Sequence, residues 1–311
     1  MNESTVAIIG AGPAGLATAV CLGKHRVSCT VFDRSGVAGG AFREMPQTMN
    51  LLSPRRYIHL PHYPFEKNIE YPSMPAYAQY LDSYAKTFGV APQQTNINSI
   101  TPHYPNGFAL TTSSGVTPVA QFVVVATGIF NNPKWPIIEG LELTQNANHS
   151  VKILHSHDWV GPENLHTQRV LIIGSGISGV GIAEECANAG HKVFVSRRSN
   201  YTRLVKPRLL GLDILHWFRP LEFLPRNFFG PLCQRGIHAP AYDNGYRTLV
   251  KSGKIIECPT IESIDGNLVK FTDRSQCEAD TIIAATGYSY NTEIFPPSFK
   301  REPGGHPATK N

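Results

Sequence analysis

The chain has 311 residues, 41% of them hydrophobic and 16% charged, with a formal net charge of +5 at pH 7. A chain of this length buries a large core and is expected to form two domains. The modest charge, with no long basic run, excludes nucleic acid as an expected partner, and no apolar run approaches the roughly 20 residues of a spanning helix. The first apolar strand starts within about five residues of the N-terminus, which leaves no room for a leader and points to a cytoplasmic protein. The six cysteines (Cys21, Cys29, Cys186, Cys233, Cys258, Cys277) contain no C-x-x-C pair. They read as reduced thiols, not as a metal cluster or a vicinal redox pair, and no metal is expected.

The first predicted strand, V-A-I-I, runs into Gly10-Ala11-Gly12-Pro13-Ala14-Gly15, with a helix from about Pro13. In such a fingerprint the first glycine permits the strand-to-helix turn. The second lets backbone approach a pyrophosphate, and the third lets the helix pack on the strand. The phosphates then meet unpaired N–H groups at the helix N-terminus. The next strand, S-C-T-V-F-D, ends at Asp33, 18 residues beyond Gly15, and Arg34 follows. The run G-V-A-G-G-A-F then brings Gly39, Gly40 and Ala41, where bare backbone can approach a ligand.

Residues 45–75 read as a long proline- and aromatic-rich loop that shapes a site. Ser73 and Pro75 start a helix that keeps Tyr77, Tyr80, Leu81, Tyr84 and Phe88 on one spacing, and Gly89 stops it. Short alternating strands follow, and F-V-V-V leads into Ala126-Thr127-Gly128. Residues 131–162 look like a link.

The pattern then repeats. V-L-I-I precedes Gly174-Ser175-Gly176-Ile177-Ser178-Gly179. The next strand, H-K-V-F-V-S-R, passes Ser196 and ends at Arg197, again 18 residues beyond the third glycine, with Arg198 after it. T-I-I-A closes on Ala285-Thr286-Gly287, which echoes Ala126-Thr127-Gly128. An irregular insertion at 200–247 holds an aromatic stretch, 217–229, broken by Pro220 and Pro225. That stretch reads as buried under a loop or lining a substrate channel. Tyr57, Tyr63, Phe65, Trp217 and Phe218 line an apolar or aromatic substrate's pocket or simply pack.

The fold class that follows is α/β, with two Rossmann-like dinucleotide-binding domains. The expected division is 1–145, 146–285 and a return segment with polar tail, 286–311. An acid at the end of the second strand suits a free ribose 2′-hydroxyl, and its carboxylate can accept hydrogen bonds from both ribose hydroxyls. An arginine there suits a 2′-phosphate. The first site is therefore expected to hold FAD or NAD and the second NADPH. The competing readings are two fortuitous glycine turns and, for Arg197 and Arg198, a solvated basic turn.

With these residues in view, the chain resembles the class B flavin-dependent monooxygenases, which include flavin-containing and plant indole-pyruvate monooxygenases. The resemblance rests on G-A-G-P-A-G, D-R-S-G-V-A-G-G-A-F, L-L-S-P-R-R-Y-I-H-L-P, A-T-G-I-F-N-N-P-K-W-P, G-S-G-I-S-G and D-T-I-I-A-A-T-G-Y, and covers nearly the whole chain. It implies that Gly10, Gly12, Gly15, Asp33, Gly40, Thr127 and Gly128 serve FAD, with Pro13, Ala14, Arg34 and Ala41 beside them. It likewise implies that Gly174, Gly176, Ser178, Gly179, Ser196, Arg197 and Arg198 serve NADPH, with Ile177, Thr286 and Gly287. The chemistry it implies is hydride transfer from NADPH to FAD, capture of O₂ as a flavin C4a-(hydro)peroxide, and transfer of one oxygen atom to a small molecule. The flavin carries the hard step, so no protein acid or base is assigned.

Three features depart from the family pattern. The linker fingerprint is eroded: His149 and Val151 stand where an aromatic and a glycine belong, and His155 and His157 are hinge-ordering or simply surface histidines. Leu51-Leu52-Ser53-Pro54 lacks the asparagine often found ahead of that proline, and Asn50 is displaced. Only 24 residues follow Gly287, so the return to the FAD domain reads as shortened. A truncated chain, weaker FAD binding, or completion by a second copy or a partner are the readings of that. Three functions compete: a monooxygenase, an NADPH-dependent flavin reductase serving a disulfide, quinone or protein acceptor, and a non-enzymatic dinucleotide-binding subunit.

Overall fold

The structure, a computed structural model, describes residues 5–46, 49–66, 68–115, 118–146, 151–199, 202–214, 217, 240–296 and 298–300. The chain divides into two compact units. One takes the chain up to Asn132 and again from Tyr288; the other is Pro133–Gly287. The sequence alone places the boundaries at 145/146 and 285/286.

The first unit is built from β1 (Val6–Ile9), α1 (Pro13–Lys24), β2 (Cys29–Asp33), α2 (Met74–Thr87), β3 (Gln93–Gln94), β4 (Ile97–Pro102), β5 (Phe108–Thr112), β6 (Val119–Ala120) and β7 (Phe122–Val125). A parallel sheet runs in the order β3-β2-β1-β7, and β4-β5-β6 form an antiparallel meander. All four residues of β1 are buried, as expected of a parallel strand covered on both faces. Val6 and Ile8 face Leu16, Val20, Leu81 and Tyr84 of the helices. Ala7 and Ile9, pointing the other way, join Ile97, Ile100 and Leu110 of the meander.

Helix α2 begins where the sequence placed it. The Ser73 hydroxyl accepts the Ala76 N–H at 3.3 Å, and Gly89 (φ 67°) follows the last turn. Its Tyr80 ring takes Tyr63 and Phe65 at 5.5 and 5.2 Å. Those two residues of the 45–75 loop are thus pieces of an aromatic core, the packing reading of the two offered for them.

The chain rejoins this unit after Gly287. Ile294 is buried among Ile9, Phe32 and Leu110, and its carbonyl accepts the Ile100 N–H at 2.8 Å.

The second unit contains α3 (Leu141–Asn146), β8 (Lys152–His155), β9 (Arg169–Ile173), α4 (Ile177–Asn188), β10 (Lys192–Ser196), β11 (Leu204–Val205), β12 (Arg208–Leu209), β13 (Leu212–Asp213), β14 (Ala241–Tyr242), α5 (Tyr246–Lys251), β15 (Ile255–Cys258), β16 (Ile261–Asp265), β17 (Leu268–Phe271), β18 (Gln276–Glu278) and β19 (Thr281–Ala284). Its parallel sheet runs β15-β10-β9-β19-β8, beside an antiparallel β16-β17-β18 meander. Strand β8 lies inside the stretch read as a link. With only Ile153 and Leu154 as apolar residues in four, it carries too little periodicity to announce itself.

Of the 200–247 insertion, 202–214, 217 and 240–247 are described; Phe218 and nearly all of the aromatic stretch lie outside the described residues. The insertion's far end is pinned by Glu184, whose buried carboxylate accepts the N–H groups of Asn244 (3.0 Å) and Tyr246 (2.8 Å) at the start of α5. No helix among the described residues is long and apolar enough to cross a membrane.

Candidate functional site

Strand register makes the two fingerprints equivalent position by position. In the first unit Ile9 pairs with Phe32 and Val125; in the second Ile173 pairs with Ser196 and Ala284. The Gly10 N–H donates to Phe32 O at 2.8 Å, and the Gly174 N–H to Ser196 O at 2.9 Å. Asp33 and Arg197 therefore hold the same place, one residue beyond the partner of the last residue of the first strand.

The glycines divide by what surrounds them. Gly10 and Gly174 have φ of 109° and 112°, and a Cβ at either would strike the carbonyl of Ala126 or Ala285. A Cβ at Gly15 or Gly179 would strike the carbonyl of Gly10 or Gly174 across the helix–strand contact. Gly12 and Gly176 are different. Both have ordinary extended φ and ψ, and a Cβ there would meet nothing of the protein within 4 Å. Each is also the N-cap of its helix, α1 or α4, with no side-chain cap over the first N–H groups. The fold itself demands the outer glycines. The middle glycine clears open space in front of uncapped donors, which fits a diphosphate.

In the first unit that space is a cavity of about 530 Å³. Nine of the expected FAD residues line it: Gly10, Gly12, Pro13, Ala14, Asp33, Gly40, Ala41, Thr127 and Gly128. Gly15 sits behind the loop, and Arg34 is outside the lining, bonded to Glu44 (2.7 Å) and Asn131 (3.1 Å). The Asp33 carboxylate is partly committed. Oδ2 accepts the Ala11 N–H at 2.8 Å, and Oδ1 accepts the N–H (2.9 Å) and hydroxyl (2.6 Å) of Ser35. Of about four acceptor positions on a carboxylate, this leaves room for one ribose hydroxyl where the sequence reading allowed two.

The sequence reading missed part of the wall. Phe42, Val125, Ala126, Ile129, Phe130 and Asn131 also line the cavity, and Tyr290, Asn291 and Phe295 reach it from the returning chain. No motif marks those last three, because only the Ile294 anchor, far away in sequence, places them. Asn50 is exposed and bridges Ser73.

In the second unit Gly174, Gly176, Ile177, Ser178 and Gly179 form the matching loop and helix start, with Ile177 and Gly176 exposed. Ser196 is buried and its hydroxyl donates to Pro259 O at 2.8 Å. The Arg197 Nε lies 3.3 Å from a Glu257 carboxylate oxygen, and its Nη1 donates to Ser199 O at 2.6 Å. Arg198 is exposed. The Thr286 hydroxyl donates to Lys134 O, and the Lys134 N–H to Gly287 O at 2.9 Å, so these two residues clasp the points where the chain enters and leaves the unit.

Under that clasp lies His155, fully buried and edge-on to Trp135 at 5.6 Å, so it is not a surface histidine. Its Nδ1 accepts the His157 N–H at 3.0 Å, and burial holds its pKa below the usual 6.5. Among the described residues five cysteines are free, and no group of side chains is arranged to hold a metal. Burial pushes the thiols of Cys186 and Cys277 up to about 12 and that of Cys258 to about 11, which makes them inert at neutral pH.

Two nucleotide-binding α/β units, the first with a ligand-sized cavity at its fingerprint, define the class: a flavoprotein oxidoreductase of the two-dinucleotide type. The family model for pyridine nucleotide-disulphide oxidoreductases matches residues 7–209. The indole-3-pyruvate monooxygenase YUCCA8 of Oryza sativa subsp. indica is 30% identical, over 96% of this chain and 78% of that protein. The flavin-containing monooxygenase from Stenotrophomonas maltophilia has the same fold, with a TM-score of 0.81 at 18% identity, covering 100% of this chain and 86% of that one. The bacillithiol disulfide reductase Bdr from Staphylococcus aureus follows with 0.72 at 18% identity, over 94% and 79%. The chain belongs to the pyridine nucleotide-disulphide oxidoreductase family, in its class B flavin-dependent monooxygenase branch. It is an enzyme of that class, and the cofactors are FAD and NADPH.

Proposed function

We propose that the first unit holds FAD, the second holds NADPH, and the enzyme inserts one oxygen atom of O₂ into a small organic molecule. The observation that carries the assignment is the register equivalence of Asp33 and Arg197. At one place in two like units stand an acid suited to a free 2′-hydroxyl and a basic pair, Arg197-Arg198, suited to a 2′-phosphate. Bound FAD supplies the redox chemistry, taking a hydride from NADPH and activating O₂. The chain's own part is positioning. The α1 N–H groups and Gly12 receive the diphosphate, and Asp33 holds the Ala11 N–H while taking one ribose hydroxyl. Tyr290, Asn291 and Phe295 wall the cavity against water.

The substrate is a small apolar or aromatic molecule with a carbonyl, nitrogen or sulfur to oxygenate. Indole-3-pyruvate, named for the 30%-identical relative, is the first compound to try. Purified protein should consume NADPH and O₂ in step with product and release much less than one peroxide per NADPH. A second reading, an NADPH-dependent reductase passing electrons to a disulfide, quinone or protein, draws on the fold shared with the disulfide reductase. The scatter of the cysteines, with no C-x-x-C pair and with Cys186, Cys258 and Cys277 held protonated by burial, counts against a disulfide route through the protein's own cysteines. Full release of peroxide in air, together with anaerobic reduction of an artificial quinone, would establish that second reading and sink the first.

A further inference from the structure

The two arginines at the second fingerprint are not equivalent. Arg197 is held by its neighbours, although its buried Nε makes no hydrogen bond. Its Nε faces one oxygen of Glu257 at 3.3 Å, and both side chains are only 21% exposed. The other oxygen of Glu257 accepts the hydroxyls of Thr202 (2.5 Å) and Tyr246 (3.2 Å). Arg197 also spends Nη1 on Ser199 O, while its backbone N–H continues the β10–β15 pairing by donating to Cys258 O at 3.1 Å. Glu257 thus opposes the field that Arg197 would offer an incoming dianion, in a partly buried setting where water screens less than at the surface. Arg198 is exposed and has no hydrogen-bond or ion-pair partner among the described residues. The Ser196 hydroxyl is turned away to Pro259 O.

The sheet explains why this occurs in one unit only. In the second unit β15 lies outside β10 and brings Glu257 level with Val195, one residue before the strand end. In the first unit the outer strand is β3, Gln93–Gln94, which places glutamines beside Phe32 and Asp33.

We infer that Glu257 is a specificity-determining positioning residue. It holds Arg197 as a strut between β10, the start of the insertion at Thr202 and α5 at Tyr246, and leaves Arg198 to read the coenzyme's 2′-phosphate. The inference rests on the placement of NADPH in the second unit and narrows the basic pair to one reader. It also gives Glu257 a discriminating effect. Glu257 opposes the charge of Arg197, the neighbour of the reader, so its removal should free Arg197 to add to the preference for the phosphorylated coenzyme.

The test is calorimetric binding of 2′,5′-ADP and 5′-AMP to the FAD-loaded protein, which reads the 2′-phosphate without turnover. Wild type should bind 2′,5′-ADP at least about tenfold more tightly than 5′-AMP. Arg198→Ala should bring the two affinities to within about twofold, and Arg197→Ala should leave their ratio within about threefold of wild type. Glu257→Gln should raise the ratio, and adding it to Arg198→Ala should restore part of the preference by freeing Arg197. If Arg197→Ala unfolds the loop, as judged by circular dichroism, Arg197→Gln keeps the stem and serves in its place. Loss of the preference in the Arg197 variant with retention in Arg198→Ala would overturn the inference and leave the NADPH placement standing. Equal binding of the two nucleotides by wild type would overturn both.

Discussion

The two units answer one structural question in opposite ways. At equivalent register positions the first offers Asp33, which reaches back to hold the Ala11 N–H of its own fingerprint. The second offers Arg197, which cannot accept such a bond and turns sideways to Glu257. The glycine scaffold around them is the same: outer glycines fixed by carbonyl contacts and a middle glycine before open space. Shared sterics build the site, and under the proposed assignment the side chains at and just beyond this one position, together with the strand beside it, tell the ligands apart.

The largest effect expected is on the shared scaffold. Gly15→Ala and Gly179→Ala each drive a methyl into a backbone carbonyl and should cost roughly 3 kcal/mol or more, each in its own unit. Chemical denaturation of the two variants checks this, and a mild loss in either would show that the helix can slide and that the units are less alike than their registers imply.

Next comes the returning chain, which has no counterpart in the second unit. Ile294→Ala empties a buried site between the sheet and the meander and should cost about 2–4 kcal/mol. It should also weaken FAD binding, because Tyr290, Asn291 and Phe295 hang on that anchor. FAD affinity by fluorescence, beside thermal unfolding, separates the two effects. Asp33→Asn should be milder, about 1–2 kcal/mol, since the amide keeps one acceptor but loses the charge-assisted bonds to Ala11 and Ser35. Equal FAD affinity in that variant would remove Asp33 from the ribose.

The smallest effect concerns His155 in the second unit. Its folded pKa lies below 6.5, so the unfolded chain binds that proton more readily. The contribution is complete above pH 6.5 and is lost as pH falls below it. His155→Gln should flatten the decline of thermal stability on the acid side, and an unchanged pH profile would place the acid sensitivity elsewhere.

Much of this was legible in the sequence because the decisive signals are local. Fingerprint glycines, the apolar strand before them and the residue 18 positions on all lie within one strand–helix–strand unit. Helix α2 was legible for the same reason, through Ser73, Pro75 and the tyrosine spacing. What escaped notice depends on distant pairing. β8 is a strand because β19, over a hundred residues later, lies beside it. Tyr290 and Phe295 line a cavity because Ile294 is anchored to Ile100. The Arg197–Glu257 pair joins the ends of two neighbouring strands, and nothing near Arg197 in sequence reveals that it is engaged.

The central claim, one dinucleotide per unit, is tested most directly with the two middle glycines. Their backbone angles suit alanine and their Cβ directions are open, so Gly12→Ala and Gly176→Ala should fold as wild type does and fail only where a ligand enters. Binding of FAD and of 2′,5′-ADP is measured on both apoproteins. Gly12→Ala should weaken FAD at least about tenfold and leave 2′,5′-ADP unchanged, and Gly176→Ala should do the reverse. Loss of both ligands in one variant, or the opposite pairing of variant and ligand, would contradict the account.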